Sequence, residues 1–227
     1  MRTETLTLLI VISLALVAGL VNFQRASRPW RVLLVLVACT LVAESLAEYF
    51  AHRYHNNLVV YHVFHPLEYS LLALVFRDLI GNRTLKTVIL VSILLYMPFS
   101  ILNSLYWERV AENQINITAI LVQSILLVWF ALQVLFEFLR QPVYENIYPK
   151  PSFWLSMGVL IFFATNIFFW GYYNRLSDNE RGVQVFYKIL FYENLLLYFL
   201  MAVALTLVRF AQSRPDRIPS RKTLEHV

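Results

Sequence analysis

The sequence predicts an all-α polytopic membrane protein, a bundle of seven transmembrane helices with its N-terminus outside and its C-terminus in the cytoplasm. Three observations predict it. Of the 227 residues 59% are hydrophobic and only 15% charged, and the mean hydropathy is +0.60, more apolar than the roughly one-half expected of a soluble domain. Seven windows are each long enough to cross the roughly 30 Å hydrocarbon core as a helix. Lysine and arginine are concentrated in alternate connections, which sets the direction of the bundle.

The first window, 5–23, follows a short charged start and has the outline of a secretory signal. Arg25, Arg28 and Arg31 follow it, only Arg2 precedes it, and no small-x-small cleavage site closes it, so it reads as an uncleaved helix. The others run over 32–51, 58–76, 86–107, 115–139, 152–173 and 185–208, joined by short connections. Residues 1–209 therefore read as one transmembrane domain, and residues 210–227 as a basic cytoplasmic tail, too short and too rich in proline and charge to fold alone. Cys39 falls mid-helix and reads as packing.

One set of connections carries Arg25, Arg28, Arg31, Arg77, Arg83, Lys86, Arg140, Lys150 and the basic tail; the other carries Arg2, Arg53, Arg109, Arg175 and Arg181. The positive-inside rule then puts the tail in the cytoplasm, as a multi-pass protein of the inner (plasma) membrane. The net charge of +5 follows from this asymmetry and from contact with anionic lipid. The bilayer is thus the expected partner, and the charge calls for no nucleic acid. Trp30 and Trp154 near the inner boundary, with Trp107 and Trp170 near the outer, fit aromatic belts.

With direction fixed, polar residues can be placed by depth. The second helix carries Glu44, Glu48 and, at its outer end, His52, four apart and so on one face. The third runs back with Tyr61, His62, His65 and Glu68. A short turn around His55, Asn56 and Asn57 makes the two an antiparallel hairpin, expected to bring Glu44 level with Glu68 and Glu48 level with His65. Asn103, Asn116, Gln123, Asn166, Lys188, Glu193 and Asn194 lie in the same outer half, whereas the inner half is almost purely aliphatic and aromatic. A charge in hydrocarbon costs about 2.5 to 3.5 kcal/mol on insertion scales and faces protein or a wet cavity. The expectation is an outward-opening cavity bounded by the second, third and seventh helices. Its ligand-binding or proton-relay residues would be Glu44, Glu48, His65, Glu68, Glu193, Asn166 and Lys188. The bland alternative is that Glu48, His52, His62 and Lys188 snorkel to water and that the deeper carboxylates hold the bundle together.

His65 and Glu68, three apart on one helix and faced by Glu44 and Glu48, have the ligand types of a divalent metal site. No HExxH signature accompanies them, and a carboxylate–histidine proton relay uses the same groups. Pro66 and Pro98 each remove a helical hydrogen bond, from the carbonyls of His62 and Leu94, and predict kinks.

Three resemblances bear on these residues. HPLEYSLLALVF in the third window and FYENLLLYFLMA in the seventh place a glutamate at matching depth in parallel helices, which is similar to the three-plus-one-plus-three plan of small sugar transporters; the Pro-Gln motifs of that family are absent. RPWRVLLVLVAC followed by the hairpin resembles the first helices of the membrane lycopene cyclase domain, whose PLEE-type motif would imply acid chemistry at Glu68; Tyr69 stands where that motif has its second acid. Over its whole length the chain resembles small seven-helix proteins of bacterial inner membranes, a likeness that carries no specific motif.

Three function classes follow. A sensor-like or ligand-binding membrane protein would use the outer cavity for a lipid-like or small-molecule ligand and the basic inner face for a cytoplasmic or membrane protein partner. A membrane-embedded enzyme would use Glu68 or Glu44 with His65 as acid and base on a lipid or isoprenoid substrate. A small-solute transporter would need a polar path through the inner half, where few polar side chains occur. The first class is the leading expectation.

Overall fold

The computed structural model describes residues 3–140, 147–176 and 180–211. It is all-helical, with no strand among the described residues. Seven helices follow in order: α1 Thr3–Val21, α2 Arg28–Tyr54, α3 Leu58–Leu79, α4 Arg83–Leu102, α5 Ile117–Leu139, α6 Pro151–Leu176 and α7 Glu180–Ala211. All seven are long and apolar enough to cross a membrane. Several outrun their apolar windows, because polar end residues continue the helical hydrogen bonding beyond the hydrocarbon. Thus α2 takes in Arg28 and Tyr54, and α7 begins at Glu180 and passes residue 209. The expected tail from residue 212 onward lies outside the described residues.

Local chemistry sets the ends. Pro29 lies in the first turn of α2, where its missing N–H costs nothing. His55 ends α2 in the left-handed region, φ 54°, and the Asn56 side chain accepts a 2.9 Å hydrogen bond from the Leu58 amide to start α3. Asn82 caps α4 by accepting from the amides of Thr84 and Leu85. Helix α3 runs without a break through Pro66. Helix α4 runs through Pro98 and ends in a wider π turn over Asn103–Trp107, after which the chain reverses with Asn113 at φ 56°.

The packing forms a ring. Helix α1 lies against α2 and α7, α2 against α3, α3 against α5, α5 against α6, and α6 against α7. Helix α4 packs chiefly on α3, outside that ring, and turns residues such as Leu94 and Leu95 outward. The end of the ring holding the α1–α2, α3–α4 and α5–α6 connections is filled: Trp30, Leu33, Leu72, Phe76 and Phe130 are buried there, dispersion and close packing being what holds helices together in lipid. Gly158 permits close approach of α6 and α7, since an added Cβ would stand 3.1 Å from the Leu200 Cβ. The opposite end is not filled.

Candidate functional site

At that opposite end the ring encloses a cavity of about 790 Å³. It is lined from six helices: the start of α1, the end of α2, the starts of α3, α5 and α7, and the end of α6. The direction of each helix explains this, because these six segments all meet at the end of the bundle that holds the α2–α3, α4–α5 and α6–α7 connections. Helix α4 contributes nothing to the lining.

Glu44, Glu48, His65 and Glu68 all line it, as does Asn166. Their partners differ from the expected register. Glu44 accepts a 3.2 Å hydrogen bond from the phenol of Tyr61 on α3, and His65, Glu68 and Glu48 are near enough to act on its charge. Glu48 turns to α1 rather than to His65, accepting from the Thr5 hydroxyl at 3.3 Å, with His52 one turn on at 3.9 Å. His65 instead pairs within its own helix: its Nδ1 lies 3.5 Å from the Glu68 carboxylate, the reach of an i, i+3 pair. The same carboxylate oxygen accepts from the Gln123 amide of α5 at 3.3 Å. Gln123 in turn accepts from the Tyr96 phenol at 2.9 Å. A polar chain therefore runs from His65 through Glu68 and Gln123 to Tyr96, crossing α3, α5 and α4.

Tyr198 of α7 is buried at the cavity wall, facing Thr40, Glu44, Tyr61 and Glu68. Asn166 is held by its own helix, donating to the Phe162 carbonyl and accepting from the Trp170 indole, each at 2.8 Å. Tyr61 stacks on His65 with ring centroids 6.0 Å apart.

Two expected members stand elsewhere. Lys188 is exposed and does not line the cavity; on α7 it lies off the face that carries Tyr187, Leu190, Phe191 and Asn194 inward. Glu193 also falls outside the lining. It faces Thr165 of α6 across the α6–α7 contact. The metal expectation meets a geometric obstacle: among the described residues no group of three or more His, Cys, Asp or Glu is placed to hold a metal ion. Glu48 is drawn to α1 and Glu44 to Tyr61, which leaves only His65 and Glu68 in contact.

His62, Asn103 and Asn116 form a second network rather than lining the cavity. The His62 ring nitrogens contact the Ser104 hydroxyl at 2.7 Å and the Gln114 carbonyl at 2.9 Å. Asn116 donates to Ser104 at 2.7 Å, and Asn103 donates to Glu108 at 2.6 Å. Glu108 accepts from the amide and hydroxyl of Thr118 at the start of α5, each at 2.9 Å, and so caps that helix. This network fastens the π turn and the α4–α5 loop onto α3.

The α1 contribution, Glu4, Thr5 and Leu8, was not legible as part of a site. Glu4 belongs to the short charged start and Thr5 opens the first apolar window, and only the contact of α1 with α2 and α7 turns them inward. Tyr198 was hidden because a tyrosine in a hydropathy window counts with the apolar residues; the signal available was its place one turn beyond Asn194 on α7.

No protein-family model, curated protein or solved structure matches this chain. What the site can do rests on its own geometry. It offers carboxylates, imidazoles and phenols on one side of a roomy space and apolar aromatic walls on the other.

Proposed function

We propose that this is a ligand-binding, sensor-like protein of the bacterial inner membrane, whose cavity opens on the outer face and whose basic face contacts a cytoplasmic or membrane protein partner. The observation that carries this reading is the cavity's one-sidedness: about 790 Å³ of space at one end, against a filled apolar interior at the other. Such a volume lies within the roughly 300–1,000 Å³ of small-molecule sites. The orientation draws on the positive-inside rule, since Arg25, Arg28, Arg31, Arg77, Arg83 and Lys86 stand at the filled end. At that end Arg28 of α2 pairs with Asp78 of α3 at 3.2 Å, so both helices that carry the acidic wall also reach the basic face. A ligand that shifts α2 against α3 in the cavity would be felt there.

A transporter reading needs a polar path past Trp30, Leu72 and Phe130, and none of these offers one. The test uses Ala47→Cys, on the cavity wall, and Val37→Cys, lower on the same helix, both in a Cys39→Ser background. A membrane-impermeant maleimide should label Ala47→Cys in intact cells, spare it in inverted vesicles, and leave Val37→Cys unreacted in both. Labelling of Ala47→Cys only in inverted vesicles would reverse the orientation. Labelling from both sides would replace the binding reading with a transport one.

A further inference from the structure

We propose that the cavity takes an organic cation, an ammonium-type head carrying an apolar body. This names the ligand class for the binding reading above and rests on it.

The first observation is an imbalance of charge. Glu4, Glu44, Glu48 and Glu68 line the cavity, and among the described residues no lysine or arginine does. Among the described residues none of the four pairs with a lysine or arginine: the ion-pair neighbours of Glu48 and Glu68 are histidines, and their other partners are the neutral Thr5 and Gln123. Glu68 is buried and Glu44 and Glu48 are half-buried, while Glu4 is exposed; carboxylates withdrawn from water are ordinarily neutralised by a partner cation. Here the described residues supply imidazoles at most, so the site has a place for a positive charge brought from outside.

The second observation concerns two atoms of the cavity wall. Glu48 Oε1 and His65 Nδ1 are buried atoms without a hydrogen bond; each has only an ion-pair neighbour, His52 at 3.9 Å and Glu68 at 3.5 Å, and both belong to lining residues. A buried polar atom left without a partner is costly, and such atoms in a cavity wall mark where a donor or acceptor is expected to sit. The carboxylate oxygen sets its negative charge against the positive head, and accepts an N–H where the ammonium carries one; the imidazole serves a hydroxyl or a water beside it.

The third observation is the rest of the wall. Tyr61, Phe163, Trp170, Phe191 and Tyr198 line the same space. Aromatic faces attract a desolvated cation and reject a strongly hydrated one, and they also bury the apolar body of an amphiphile. A metal ion would find no set of three or more His, Cys, Asp or Glu ligands among the described residues. A proton alone would leave most of the 790 Å³ without a role. An organic cation uses the acids, the unpartnered atoms, the aromatic wall and the volume together.

The test compares probes that differ in charge at one shape. Binding to the purified protein in a neutral detergent is measured by calorimetry with benzyltrimethylammonium, its neutral carbon isostere neopentylbenzene, and benzylsulfonate. The cation should bind saturably, the isostere roughly tenfold more weakly or worse, and the anion not at all. Glu44→Gln/Glu48→Gln should weaken the cation about tenfold, and Glu48→Gln alone, which keeps an acceptor for Thr5, should weaken it in the same direction. Equal binding of cation and isostere, unchanged in both variants, would overturn the cation class and leave a ligand-binding cavity standing. Saturable binding of the anion alone would do the same. No saturable binding of any probe would remove both readings.

Discussion

The phenol of Tyr61 donates a 3.2 Å hydrogen bond to the carboxylate of Glu44, tying α3 to α2 across the mouth of the hairpin. Tyr61 also stacks on His65, so one side chain orients both the acid of α2 and the imidazole of α3. Replacing Tyr61 with phenylalanine keeps the stack and removes the hydrogen bond. The cost expected is about 0.6 kcal/mol and at most about 1.7 kcal/mol, the scale of interhelical hydrogen bonds in membranes. Thermal unfolding in detergent reads this directly; no loss of stability would mean that Glu44 finds an equal partner without Tyr61.

His62 belongs to the loop network and not to the cavity. His62→Ala leaves the Gln114 carbonyl and Ser104 without their imidazole partner and should cost about 1–3 kcal/mol. Hydrogen exchange should quicken over 103–114, while binding in the cavity stays within about twofold of the native protein. A binding loss as large as that of the Glu44→Gln/Glu48→Gln variant would place His62 in the site after all.

Lys188 supplies the opposite control. The side chain is exposed and outside the lining, so Lys188→Ala should change stability by no more than about 0.5 kcal/mol and leave cation binding unaltered. Tighter binding of a cation on removal of this charge would show that Lys188 acts on the cavity through its field.

Close packing of α6 on α7 is tested at Gly158. An isoleucine there must displace Leu200, whose Cβ is only 3.1 Å from the position of an added Cβ. The overpacking should cost about 1–3 kcal/mol, seen as a lower melting temperature with cavity binding retained. An unchanged melting temperature would mean that the two helices separate without penalty.

How much of this was legible in the sequence depends on the kind of force involved. The seven helices were, because apolar length is a property of each segment alone. So were Glu44, Glu48, His65 and Glu68 as a group, since a charge in hydrocarbon must turn toward protein whatever its neighbours are. Their pairing was not. Glu48 meets Thr5 only because α1 closes against α2, and Gln123 reaches Glu68 only because α5, not α4, is the neighbour of α3 in the ring. Order around a ring is set by packing between segments distant in sequence, and one-dimensional hydropathy carries no record of it. Lys188 was misplaced for a related reason: depth along a helix can be counted, but the face a residue presents depends on which neighbours the helix finds.

The central claim is that the space between the acidic and aromatic walls is where a ligand sits, and a steric block tests it most directly. Ala47 is buried at the cavity wall, so Ala47→Trp fills the space while leaving every carboxylate in place. Titration of benzyltrimethylammonium into the native protein and into this variant should give saturable binding in the first and at least a roughly tenfold loss in the second, with both proteins unfolding cooperatively. Equal affinity in the two proteins would contradict the account, because the ligand would then be binding somewhere other than this cavity.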